Sequence, residues 1–349
     1  MILGWWITLK DNDVKIVKDD SIADIVKLIE THRENAYRKV NEELVTMYYE
    51  IGKYLSEKVA SEKWGSKVID SIAREINNKY PTLKGFNRRG LYRMMQFYDT
   101  YKDNEIVSTL LSQISWSNNI AILSGTKTME EKEFYIRMCI KNNYSARELN
   151  RQLSSGYFYR YMLSKDNNAL ESTAKTIDED DIPTTRILDQ YSLEFLDLPN
   201  NYSEKDLRKS IVSNLKDFIL EIGNDFTFLG EEYRVQVGNR DFYIDLLFYN
   251  RTYSCLVAFE LKIDKFEPEY VSKMDFYLEA LDRQEKKVNE NPSVGIILCT
   301  SKDDTVVEYA LSRSISPTAV AEYSTKLIDK NLLENKVLEI RKMLDNTED

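Results

Sequence analysis

The sequence predicts a multidomain chain, an all-helical part followed by an α+β part, and three observations carry that prediction. From residue 21 to about 163, apolar residues recur at helical spacing. From about residue 200 onward, short apolar runs of strand character alternate with helical segments. Between them, Ile177-Asp-Glu-Asp-Asp-Ile-Pro-Thr-Thr breaks both patterns with an acidic stretch poor in apolar residues. The expected layout is a tail at 1–20, a helical domain at 21–163, an acidic linker at 164–199 and a second domain at 200–349.

In the helical part, Ile22, Ile25, Val26 and Ile29 begin an apolar stripe, and Leu44, Met47, Tyr48, Ile51 and Leu55 continue one. Trp64 to Tyr80 reads as an amphipathic helix with Val68, Ile69, Ile72 and Ile76 inward, ended by Pro81, with Gly85 marking the turn. Asn87 is a suitable N-cap for a helix from Arg88 to about Tyr101, because its side-chain oxygen can accept from an orphan N–H of the first turn. Helices are expected at Trp116–Ser124, at Glu130–Lys141 and, capped by Ser145, at Ala146–Leu153. Trp64 and Trp116 read as core anchors.

In the second part, Ser203 and Asp206 form a capping box opening a helix that runs to Gly223. Strands are expected at Phe226–Leu229, Tyr233–Val237, Phe242–Asn250 and Ser254–Lys262. Pro268 suits the first turn of a helix reaching about Lys286, and Val294–Thr300 has the continuous apolarity of a strand buried on both faces. A helix at Thr305–Ser312, a strand at Ala319–Tyr323 and a helix at Asn331–Asp345 complete the order.

Composition narrows the chemistry. With 349 residues and 42% hydrophobic content the chain can bury two ordinary cores. No 18-residue apolar run is present and the start lacks a basic signal-peptide region, so a cytoplasmic protein without a membrane partner is expected. Three scattered cysteines suit neither a disulfide frame nor a zinc site, and the single histidine, His32, argues against Ser-His-Asp chemistry. The net charge of −10 is unevenly spread. Residues 21–163 carry 22 bases against 17 acids, whereas residues 164–349 carry 23 against 37. A nucleic-acid contact is therefore sought in the first part.

The chemistry concentrates in Asp245-Leu-Leu-Phe-Tyr-Asn-Arg-Thr-Tyr-Ser-Cys-Leu-Val-Ala-Phe-Glu-Leu-Lys262. Strand side chains repeat their facing every two residues, so Glu260 and Lys262 share a face. A four-residue loop at Arg251–Ser254 pairs Asn250 with Cys255 and puts Asp245 opposite Glu260, within about 5.5 Å. Three charges on an apolar sheet face are costly unless they hold a cation or a phosphate. Asp245, Glu260 and the carbonyl of Leu261 suffice to anchor Mg²⁺, which keeps several waters, and Mn²⁺ is expected to substitute. Lys262 could orient the attacking water or stabilise the pentavalent phosphorus. Taken alone, a Glu-x-Lys pair is an ordinary surface ion pair; the in-strand acid before it gives it meaning.

The order of helix, Asp-bearing hairpin, Glu-x-Lys strand, helix and buried strand resembles the restriction-endonuclease-like αβββαβ core of the PD-(D/E)xK nucleases, with its mixed central sheet. Phe242-Tyr-Ile-Asp-Leu-Leu-Phe-Tyr, Cys255-Leu-Val-Ala-Phe-Glu-Leu-Lys-Ile and Glu267-Pro-Glu-Tyr-Val-Ser-Lys-Met-Asp-Phe-Tyr-Leu resemble the YhcG-type bacterial nuclease family. In the first part, Tyr49-Glu-Ile-Gly-Lys, Trp64-Gly, Leu83-Lys-Gly-Phe-Asn-Arg-Arg and Leu111-Ser-Gln-Ile-Ser-Trp-Ser are similar to its recurrent segments. The resemblance implies a helical, winged-helix-like N-terminal domain and catalytic roles for Asp245, Glu260 and Lys262. It also implies an accessory acid at Glu221 and a site-lining face of Tyr270, Lys273 and Tyr277. One departure is Ile244, where the superfamily often has a proline before the first acid.

Lys84, Arg88, Arg89 and Arg93 lie at the turn and start of the helix after Pro81, as in a helix-turn-helix that presents bases to DNA. The bland alternative is a solvated helix face. The expected function is a Mg²⁺-dependent endodeoxyribonuclease, the helical domain placing an acidic catalytic domain on DNA. The alternative is a non-catalytic DNA-binding or assembly subunit of a restriction, defence or repair complex. RNA is an open substrate, and a homodimer would be the simplest way to cut both strands.

Overall fold

The computed structural model describes residues 19–62, 66–164, 187–314 and 316–345. The tail at 1–18, Trp64 with its neighbours, and residues 165–186 of the acidic linker lie outside the described residues. The chain forms two compact units, Met1–Ile120 and Ala121–Asp349. Residues 121–163 pack with the second unit, which their side chains help to build.

The first unit contains α1 (Asp19–Glu62), α2 (Ser66–Lys79), α3 (Arg88–Tyr101), α4 (Glu105–Leu110) and the start of α5 (Trp116–Gly125). No strand occurs among its described residues, where α2 and α3 are joined by the turn at Gly85. Asn87 caps α3 as expected, its side chain accepting from the Gly90 N–H at 2.9 Å. Tyr48, Leu55, Ile69, Ala73, Phe86, Leu91 and Met94 form the core, and Trp116 packs against Tyr48 and Phe97. Gly52 lets α1 cross α3 closely, since a Cβ there would lie 2.1 Å from the Met94 carbonyl oxygen. The early stripe on α1 is not inward, because Ile25, Val26 and Ile29 are exposed.

The second unit begins with α6 (Met129–Asn142), α7 (Ala146–Ser154) and α8 (Tyr157–Leu163). Next come β1 (Gln190–Ser192), α9 (Glu204–Ser213) and α10 (Leu215–Ile222). There follow β2 (Phe226–Val237), β3 (Arg240–Asn250), β4 (Cys255–Leu261), α11 (Glu269–Gln284) and β5 (Val294–Cys299). The unit ends with α12 (Asp304–Leu311), β6 (Thr318–Ser324) and α13 (Lys330–Asp345). The strands form one mixed sheet in the order β1-β6-β5-β4-β3-β2. β1, β6, β5 and β4 run parallel, while β4, β3 and β2 form antiparallel neighbours, which is the restriction-endonuclease-like arrangement.

Three details differ from the sequence reading. The helix opened by the Ser203–Asp206 capping box breaks at Asn214 into α9 and α10. The two expected strands at 226–237 are one strand with a register shift between Phe228 and Gly230. The linker ends earlier than residue 199, because Ile187, Leu188, Tyr191, Leu193 and Leu196 are buried and 190–192 pair with β6.

The sheet buries both faces. Leu247, Leu256, Ala258, Ile297 and Val320 pack beneath Val271, Met274, Leu278 and Leu281 of α11. On the other face, Phe218 of α10 meets Phe248 and Phe259. All seven residues of β4 are buried, so a charged residue at its end must be held by partners.

Candidate active site

The β3–β4 hairpin has the expected register, running from Asn250↔Cys255 to Leu246↔Phe259. Pairing stops one residue short of Asp245. There the Asp245 Oδ2 instead accepts the backbone N–H of Leu261 at 2.9 Å, between Glu260 and Lys262. On the other side the β2 ladder passes from Glu231↔Leu246 to Tyr233↔Ile244 and skips Asp245 as well. Facing slips at this point, since Phe242 and Ile244 before it and Leu247 and Tyr249 after it pack in the same core.

Glu260 is 1% exposed, and two ammonium groups converge on its Oε1: Lys262 at 3.0 Å and Lys273 of α11 at 2.5 Å. Burial alone would lower the Lys262 pKa, but Glu260 and Glu204 outweigh it and hold it well above the ordinary lysine value. Lys273 is raised in the same way, with Glu260 overcoming desolvation. Both are therefore ammonium ions at neutral pH. The Lys262 ammonium also lies 5.1 Å above the Tyr270 ring, whose hydroxyl donates to Asp264. Tyr277 lies beneath Lys273 but gives its hydroxyl to the Tyr243 carbonyl at 2.7 Å, which ties α11 to β3.

Asp245, Glu260, Lys262, Tyr270 and Lys273 are thus brought together, with Tyr277 at their side. Glu221 is not. It lies in α10, fully buried, with Arg160 at 2.5 Å, Arg151 at 3.2 Å and the Ser192 N–H at 2.7 Å. Burial would raise its pKa, but the two guanidinium groups outweigh that and hold the carboxyl below its usual range. The break at Asn214 and the arrival of α7 and α8 explain its placement. The acid that α9 does send to the site is Glu204, whose Oε1 is 3.0 Å from Lys262 Nζ. One turn on, Arg208 donates to Asp245 Oδ1 at 3.2 Å. Sequence reasoning missed both, although the capping box at Ser203 fixed Glu204 in the first turn.

The donor set fits a hard divalent cation. Glu260 Oε2 is buried without a hydrogen-bond partner among the described residues, a costly state for a carboxylate oxygen that a cation would relieve. Among the described residues no three His, Cys, Asp or Glu side chains stand together as a ready metal cage. A cation here would draw on two carboxylates, the Leu261 carbonyl and water.

Residues 184–338 match the YhcG PDDEXK nuclease domain, and residues 24–160 match the DUF1016 N-terminal domain. Over most of its length the chain is thus similar to YhcG-type PDDEXK nucleases. It is 27% identical over 354 residues to YhcG of Escherichia coli (strain K12), covering 92% of this chain and 94% of that one. Among solved structures, 37% of the chain matches a repair endonuclease from Pyrococcus abyssi at 19% identity, covering 49% of that chain, with a TM-score of 0.26. The same share matches EndoMS in complex with double-stranded DNA at 19% identity, covering 48% of that chain, with a TM-score of 0.28. The chain spans about half the length of these two structures. No described helix is long and apolar enough to cross a membrane.

Within the segment that matches the DUF1016 N-terminal domain, the residues expected from the sequence to contact DNA occupy the α2–α3 turn and the start of α3. Lys84, Arg88 and Arg89 are exposed and Arg93 is half-buried. Arg88 is partly engaged, with Asp70 at 3.1 Å and the Tyr92 ring at 5.7 Å.

Proposed function

We propose that the protein is a metal-dependent endonuclease that hydrolyses DNA phosphodiester bonds, with Asp245, Glu260 and Lys262 as its catalytic residues. The observation that carries this reading is Glu260: a buried carboxylate with two lysines on one oxygen and, among the described residues, no hydrogen bond to the other. Asp245, Glu260 and the Leu261 carbonyl would hold Mg²⁺, or Mn²⁺ in its place. The bound cation would neutralise charge on the phosphate and acidify a water.

The remaining roles follow from charge and position. Lys262, kept protonated by Glu260 and Glu204, acts as a fixed cation that stabilises the developing negative charge and orients the water. It is not a general base while those contacts last. Glu204 takes the accessory place that the resemblance gave to Glu221, because it meets Lys262 and Glu221 does not. Lys273 balances Glu260 and adds a second cation toward the phosphate. In the N-terminal domain, Lys84, Arg88, Arg89 and Arg93 contact DNA phosphates, with the bases on α3 aimed at the groove. That placement keeps the acidic second unit near a polyanion that would otherwise repel it.

Supercoiled plasmid incubated with the protein in Mg²⁺ tests this. Nicking is expected, with loss in EDTA and in Lys262→Ala or Glu260→Gln protein. DNA retarded but uncut under every metal condition would instead favour the assembly-subunit reading. Cleavage of RNA in preference to DNA would correct the substrate.

A further inference from the structure

Asp245 sits where the strand ladder gives it no partner on either side. Its direction therefore rests on two side-chain bonds, one from the Leu261 N–H and one from Arg208. Arg208 lies four residues past Glu204 on α9, so the helix face that meets Lys262 also meets Asp245. Its side chain is 10% exposed, and its planar fork spans two acids. Nη1 is 3.2 Å from Asp245 Oδ1, and Nη2 is 2.7 Å from Glu232 Oε1. Glu231 Oε2 lies 3.8 Å from Nε. Glu232 holds a φ of 43°, in the left-handed region, at the point where the β2–β3 ladder skips Asp245. A non-glycine residue persists there only when its surroundings hold it, and the bond to Arg208 is such a hold.

We propose that Arg208 is a positioning residue for cation binding, aiming the Asp245 carboxylate while Glu232 and Glu231 offset its charge. The proposal rests on the reading of Asp245 as a cation ligand. Two effects compete. A guanidinium beside a ligand repels the metal, whereas a hydrogen bond that fixes the carboxylate plane favours binding. The short bond to Glu232 decides for the second, because a second carboxylate on the same fork offsets the guanidinium charge. A lysine has no fork and cannot span both acids.

The test uses the full-length chain, with Mn²⁺ binding read from the spin resonance of the free ion and plasmid nicking followed separately. Arg208→Met is expected to weaken Mn²⁺ binding and lower kcat by about 10- to 100-fold, with KM for DNA unchanged. Arg208→Lys is expected to fall with it. Glu232→Gln, at an exposed position, shifts Mn²⁺ affinity in the same direction and carries the test if Arg208→Met does not fold. Wild-type Mn²⁺ affinity in folded Arg208→Met or Glu232→Gln protein, or full rescue by lysine, would overturn the proposal. Asp245→Asn separates the two failures. If it too leaves Mn²⁺ binding unchanged, or if the wild type binds no Mn²⁺, the ligand reading fails and the proposal with it. If it abolishes binding that Arg208→Met retains, only the role of Arg208 is refuted.

Discussion

Lys273 Nζ lies 2.5 Å from Glu260 Oε1, bringing a helix cation onto a strand carboxylate that Lys262 already contacts at 3.0 Å. Two ammonium groups sharing one oxygen would repel each other in the open. They coexist here because the carboxylate between them is buried and would be destabilised without them.

That pairing predicts an alkaline transition. The folded pKa of Lys262 is raised, so its stabilising contribution is fully present below the unfolded lysine value of about 10.4 and is lost as pH rises through the folded value. Urea unfolding across pH 8–11.5 should show stability falling at the alkaline end, and Lys262→Met should flatten that fall. Parallel curves for the two proteins would refute the pairing.

Glu221 is expected to act on stability and not on the chemistry. Glu221→Gln leaves Arg160 buried beside a neutral partner and should cost about 3–5 kcal/mol. Its folded pKa is depressed, so the wild-type contribution is present above the unfolded glutamate value and lost as pH falls through the folded one. Denaturant melts at pH 7 and pH 3 should differ for the wild type and differ less for the variant. A stable Glu221→Gln protein without nuclease activity would return Glu221 to the active site.

The crossing of α1 and α3 predicts a sharp steric effect. Gly52→Ala puts a methyl group 2.1 Å from the Met94 carbonyl oxygen, so the helices must separate. The expected loss is about 1–3 kcal/mol, seen as earlier melting of the first unit in hydrogen exchange. Unchanged exchange in α1 and α3 would show that the helices give way freely.

For the basic turn, Lys84→Ala and Arg89→Ala should each weaken DNA retention and lower the slope of log affinity against log salt by about 0.9. Fluorescence anisotropy at several salt concentrations measures it. An unaltered slope would move the DNA contact elsewhere.

Much of the site was legible because strand geometry is local. Side-chain alternation put Glu260 and Lys262 on one face, and a four-residue loop fixed the Asn250↔Cys255 register. Neither needs knowledge of distant residues. Glu204 and Arg208 were not legible as site residues, since an acid and a base four apart on a helix usually form a surface pair. Only the docking of α9 over the ends of β3 and β4 gives them Lys262 and Asp245 as partners. Glu221 was misplaced for the converse reason. The break at Asn214 leaves it on a helix that meets Arg151 and Arg160, which lie some sixty to seventy residues earlier in the chain.

The sequence by itself determined the order of elements, the hairpin register and the residue types that could hold a cation, because periodicity, capping and turn length act over a few residues. Tertiary structure decided which acid of the first helical segment reaches Lys262 and which is sealed into an ion pair. It also decided that Asp245 depends on side-chain bonds for its direction. Those outcomes depend on which distant helix packs over a strand end, and burial makes each such pairing exclusive.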